Sequence, residues 1–164
     1  MSDDNNRLKA AQWILERSLA WISGAEVKVG VIVAINTAML AGLGSAYNGA
    51  LADARIPWAY VFIAAAVLGL SAGLYCAAMA VLPRLDGPAK SLLFFGRVAK
   101  VGQADYIEAL KKASDDDLLA DWSAQIHRNA EIACIKFGWV RTAMVWSFSA
   151  IVPWCLAIFM LVKK

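Results

Sequence analysis

Charged side chains are missing from three long stretches of this sequence: residues 29–52, residues 56–83 and residues 142–162. A soluble helix of such length needs a polar face, so an ordinary soluble domain is excluded and a membrane protein is the default. Histidine occurs once, at His127, and the patterns GxxxxGK[ST], GxSxG and HExxH do not occur. His127 lies one turn past Ser123, but a general base also needs an orienting partner converging on it. The three cysteines, Cys76, Cys134 and Cys155, are odd in number and lack ligand spacing, which argues against both a disulfide framework and zinc. Adjacent Asp115, Asp116 and Asp117 fan out over different helix faces and suit capping better than chelation. The chain is therefore not read as an enzyme, and neither cofactor nor metal is expected. The opening residues MSDDNNRLKAAQ lack the basic start and apolar core of a cleaved signal, so the first apolar run is expected to direct its own insertion.

What is present is helix. A bilayer's hydrocarbon core is about 30 Å thick and takes roughly 20 apolar residues, so each uncharged run is long enough to span it. Pro57 suits the first turn of the run from Ile56 to Pro83, Trp58 and Tyr60 suit interfacial depth, and Gly69, Gly73 and many alanines give it a small-residue face. The first run carries Asn36 and Thr37 in its interior, polar groups that either bond a neighbouring helix or line a path. The short link LADARIPW makes the first two spans an antiparallel hairpin. Before them, Asp4, Asn5 or Asn6 offers an N-cap for a helix from about Arg7, with Leu8, Ala11, Leu15, Leu19 and Ile22 on one stripe. Trp13 and Trp21 share a side that could rest on a membrane surface or pack on soluble helices.

Residues 84–141 have the composition of a soluble module. LDGPAK breaks the second span, SLLFFGRVAKVG is apolar but too short to cross a membrane, and ADYIEALKKA predicts a short helix. Ser114 caps the next helix, with acids in its positive first turn. From Asp115 no strong breaker occurs before Pro153, so one helix is expected to run into the third span, with a kink at Pro153. Its apolar set is Leu119, Trp122, Ile126, Ala133 and Val140. Gln125, Asn129 and Lys136 share a polar stripe bordered by Arg128, either a seam that fixes register or a receptor face. Amides read base edges, Arg or Lys meets phosphate, and Phe94, Phe95 or Trp122 could stack on a base.

The expected fold is an all-α membrane protein with three transmembrane helices, an N-terminal amphipathic helix and a small cytoplasmic helical module between spans 2 and 3. The divisions are 1–28, 29–83, 84–141 and 142–164. Thirteen of the sixteen bases fall in the N-terminal segment and the module, and three on the other side. The positive-inside rule places the thirteen in the cytoplasm, with the C-terminus outside.

Three pieces of this sequence resemble the transmembrane effectors of bacterial Pycsar anti-phage defence. They are AEVKVGVIVAINTAML, with an acid-x-Lys start to a membrane helix; SLLFFG at Ser91 to Gly96; and QIHRNAEIACIKFGWVRTAM, with its Gln-Ile start and a Lys before the last span. The resemblance covers about Leu8 to Val162. It departs in having Glu26 where aspartate is as common, and Val29 where alanine is commoner. The resemblance implies an inner-membrane effector that answers a cyclic pyrimidine mononucleotide, cCMP or cUMP, made by a partner pyrimidine nucleotide cyclase, and then impairs the membrane and stops the cell. Candidate ligand residues are Phe94, Phe95, Gln125, Arg128, Asn129 and Lys136. Glu26 and Lys28, where the chain meets the membrane, either pair to hold a closed form or simply sit at the interface. Membrane lipids are expected partners and nucleic acid is not. Three spans enclose no wide pore, so a homo-oligomer is expected. The competing reading is a constitutive small membrane scaffold or subunit without ligand gating.

Overall fold

The computed structural model describes residues 2–51, 56–84, 86–88 and 90–162, with side chains from Asn6 onward. Arg55 and most of the expected hairpin link, Leu85 and Ala89 of the LDGPAK turn, and Lys163 and Lys164 lie outside the described residues. The described residues form five helices and no strand: α1 (Ser2–Gly49), α2 (Pro57–Val81), α3 (Phe95–Val98), α4 (Gln103–Lys112) and α5 (Asp115–Val162). Helices α1, α2 and α5 are each long and apolar enough to cross a membrane.

Helix α1 corrects two expectations. It starts at Ser2 rather than near Arg7, and the segment expected as an N-terminal amphipathic helix runs into the first apolar run as one uninterrupted helix. Gly24 and Gly30 are the only weak points at the expected junction, and a lone helical glycine costs only about 1 kcal/mol. Helix α5 likewise runs unbroken from Asp115, with Pro153 inside it. At 1.5 Å per residue, 48 residues make about 72 Å of helix, more than twice a hydrocarbon core, so only part of either helix can lie in lipid.

The chain packs as two units, Met1–Gly24 with Pro83–Ile135, and Ala25–Leu82 with Lys136–Lys164. In the second unit, burial repeats every seven residues, the period that keeps one seam of a helix against its partners. On α2 the repeat is Ala59, Ala66, Gly73, Ala80; on α5 it is Lys136, Ala143, Ala150, Ala157; on α1, Val29, Asn36, Leu43. Alanine or glycine holds these places on α2 and, beyond Lys136, on α5, because lipid gives helices no hydrophobic reason to associate and close backbone approach supplies dispersion instead. A Cβ added at Gly69 would lie 2.8 Å from the Cβ of Ala150. One added at Gly73 would lie 2.6 Å from Asn36 Nδ2 and 2.7 Å from Ser147 Oγ.

Asn36 is fully buried and joins three helices: its Nδ2 donates to Leu70 O at 3.3 Å and to Ser147 Oγ at 2.9 Å. Of the two readings left open for this polar position, it performs the interhelical bond. Thr37, its neighbour, is exposed on the outer side of α1. Near the other end, Trp154 Nε1 donates to Met39 O at 2.8 Å, over a cluster of Leu43, Ala66, Ala157 and Leu161.

In the first unit, Ala11 and Ser18 are the buried positions of α1 among the residues whose side chains are described, with Ser18 Oγ donating to Ile14 O at 2.9 Å. Leu19, placed on the apolar stripe by spacing, is half exposed, as are Trp13 and Trp21. The seven-residue repeat that buries Ala11 and Ser18 leaves Leu19 one step off the seam.

Candidate ligand cavity

The short segment Ser91–Phe94 enters α3 and is fastened to α5 by polar side chains. Asp121 Oδ2 accepts the backbone N–H groups of Leu92 at 2.7 Å and Leu93 at 3.2 Å. Gln125 Nε2 donates to Ser91 Oγ at 3.1 Å, and the same hydroxyl oxygen accepts from the N–H of Leu93 and of Phe94. Tyr106 on α4 donates its hydroxyl to Leu92 O at 3.0 Å. Part of the polar stripe on α5 therefore does fix structure, by replacing the hydrogen bonds that an irregular backbone lacks. The start of α5 is fixed in the same way: Ser114 Oγ accepts the Asp117 N–H, while Asp117 Oδ2 accepts the Ser114 hydroxyl and N–H. Those two bonds, the hydroxyl first, hold the Asp117 carboxyl below its ordinary value.

Beside this segment lies a cavity of about 290 Å³, near the small end of ligand sites. Its walls include Arg84, Phe94, Phe95, Gln125, Arg128 and Asn129, so five of the six candidate ligand residues meet at one place. The two rings differ in what they can do. Phe94 lies between Gly87 and Gly96, either of which would bring a Cβ within 2.7 Å of the ring. Phe95 packs on Phe94 with centroids 4.9 Å apart, yet stays 64% exposed, free to take a second flat group. Arg128 is held by acids: Nη1 donates to Glu131 Oε2 at 2.6 Å, Nη2 to the Asp86 carboxylate and Nε to Asp86 O at 3.1 Å. The Glu131 bond chiefly, with the charge of Asp86, raises its pKa against partial burial.

Arg84 and Asp86 are functional candidates that the spacing did not single out. Arg84 Nη1 is buried with no hydrogen-bond partner, although the cavity wall is where the residue sits. A buried guanidinium nitrogen without an acceptor is costly, so this is a place suited to an incoming anion. The only signal in the sequence was a basic residue right after Pro83, which is also what a topology determinant looks like.

Lys136, the sixth candidate, is elsewhere. It belongs to the unit of Ala25–Leu82, is 5% exposed, and donates Nζ to Glu26 Oε1 at 2.7 Å. The expected Glu26–Lys28 pair is therefore replaced by Glu26–Lys136, and Lys28 lies 5.3 Å over the ring of Phe137. Residues two apart on a helix point to different sides, whereas α5 supplies a base on the same side as Glu26.

Compared with known proteins, the chain matches a family model described as Pycsar effector protein domain over residues 10–163. The chain belongs to the Pycsar effector family. Among relatives of this Pycsar effector is the protein named Pycsar effector protein PtPycTM, from Propioniciclava tarda. The two are 30% identical over 156 residues, which cover 88% of this chain and 75% of the relative. No solved structure matches the chain. Family and helices together make this Pycsar effector an anti-phage membrane effector rather than an enzyme.

Proposed function

We propose that the chain senses a cyclic pyrimidine mononucleotide, cCMP or cUMP, at the cavity between Ser91–Phe94 and α5, and responds by impairing the inner membrane. A cyclase that makes the nucleotide during infection is its functional partner. The observation that carries this reading is the unpartnered, buried Nη1 of Arg84, a residue in the wall of a cavity that also holds Arg128, the amides of Gln125 and Asn129, and the exposed face of Phe95. Phosphate, base edge and base face each find a chemically matched group there. The module faces the cytoplasm, where the messenger is made, in line with the distribution of bases.

Membrane damage requires several copies. Gly30, Ala34, Ala38 and Ala41 lie exposed along α1, and nothing stands within 4 Å of a Cβ built at Gly30 or Gly44. Such a small-residue face suits close approach by a second copy.

The test is titration of the purified full chain in detergent with cCMP, cUMP, cAMP and cGMP, paired with membrane potential in cells given the matching cyclase. Binding of one pyrimidine nucleotide and depolarisation on its synthesis are expected. Indifference of both readouts to cCMP and cUMP would overturn the reading and leave a constitutive scaffold or subunit. Labelling of Cys134, which is exposed, from the periplasm in intact cells would overturn the orientation.

A further inference from the structure

Asp86 stands out at this cavity. Among the described residues that line it, Asp86 alone is acidic, and it grips Arg128 through both its carboxylate and its backbone carbonyl. The two partners are unequally placed. The Asp86 side chain is 72% exposed and the Arg128 side chain 26%, so the acid can turn into water while the guanidinium stays in the wall. Glu131, the other partner of Arg128, is on the same helix one turn along and moves with it.

We propose that the Asp86 carboxylate holds the place of a phosphate on Arg128, so that ligand binding exchanges one anion for another and frees residues 86–88. This rests on the reading of the cavity as the nucleotide site. A cyclic phosphodiester carries a single negative charge and two free oxygens, the same charge and donor-facing pair as a carboxylate, and Arg binds either with two parallel bonds. Arg84 Nη1 adds a second cation that Asp86 does not satisfy, which favours the incoming phosphate over the resident acid. Without that difference the ligand would shift nothing.

The freed segment is well placed to matter. Asp86 is four residues beyond Leu82, the C-cap of α2, so its grip on Arg128 ties the chain leaving a membrane helix to α5. Exchange cuts that tie at both the carboxylate and the carbonyl, leaving the contact of Gly87 with the Phe94 ring.

Asp86→Asn keeps the size of the side chain and removes the competing charge. Removing a displaceable surface ion pair raises the binding-competent fraction, so the variant is expected to bind the nucleotide about fivefold more tightly than wild type in the full chain in detergent. In the ligand-free protein it is also expected to speed amide hydrogen exchange at Asp86 and Gly87 while leaving the α5 amides of residues 120–135 unchanged. Binding by wild type that Asp86→Asn leaves equal or weakens, or unchanged exchange at Asp86 and Gly87, overturns the exchange of anions alone. Failure of both proteins to bind either cCMP or cUMP overturns the reading of the cavity and this proposal with it.

Discussion

The unit around Pro83–Ile135 and the unit around Ala25–Leu82 hold their helices by opposite means. The first relies on side chains reaching irregular backbone: Asp121 to Leu92 and Leu93, Gln125 to Ser91, Arg128 to Asp86. The second relies on what side chains leave out, with alanine or glycine every seventh residue of α2 and of the later part of α5 and a single buried amide joining three helices. The difference comes from solvent. Water can stand in for a broken bond in a polar module, so its contacts are exchangeable and a ligand can compete for them; lipid cannot, so a bundle keeps few polar contacts and makes them permanent. A sensor belongs in the first kind of structure and a stable membrane part in the second.

The largest break in that comparison is expected from Gly73→Leu. Its side chain has no space against Asn36 and Ser147, and overpacking of this kind costs about 3 kcal/mol. Thermal unfolding in detergent should show the bundle lost, whereas Gly30→Leu, in open space on α1, should leave stability intact and test only assembly.

Next in size is Lys136→Glu, which sets two acids together at Glu26. Allowing for the half-exposed carboxylate, a loss of about 2 kcal/mol is expected. The double change Glu26→Lys with Lys136→Glu should restore stability and response. Restored stability without response would return Lys136 to the ligand residues.

Arg84→Gln should leave the bundle's unfolding unchanged and weaken nucleotide binding by a charge-assisted hydrogen bond, about 2 kcal/mol or roughly thirtyfold. Equal binding by this variant would remove Arg84 from the site. Phe95→Ala ranks below it, with about 1 kcal/mol of stacking lost from affinity and no change in abundance, since the ring is mostly exposed. Lost abundance instead would mark Phe95 as packing.

The smallest effect concerns the start of α5. A carboxyl held below its ordinary value stabilises the fold above the unfolded pKa, roughly 3.9, and that contribution fades as pH falls through the lower folded value. Ser114→Ala should speed amide exchange at Asp117 near neutral pH, and the difference from wild type should shrink in acid. A difference that does not shrink would mean the cap works without the Asp117 charge.

The three apolar helices and the long run of α5 were legible because a bilayer imposes length and composition on any chain that crosses it. Uncharged runs such as 56–83 admit few other readings. The gathering of Phe94, Phe95, Gln125, Arg128 and Asn129 was half legible. The α5 residues share a helical stripe, but nothing local says that a segment some thirty residues earlier folds against it. Arg84 and Asp86 stayed hidden because a turn beside a proline explains both without a site.

By itself, then, the sequence settled that this is a helical membrane protein with a polar module between its second and third apolar runs. It also carried the family resemblance in its short motifs. Only the tertiary structure decided which base meets Glu26, that Asn36 binds helices together, and that Asp86 occupies Arg128 while Arg84 waits unpaired. Helix length and hydrophobicity are properties of neighbours along the chain. The partner of a charge depends on which distant helix presents an opposite charge on the facing side, and that is fixed only once the helices have packed.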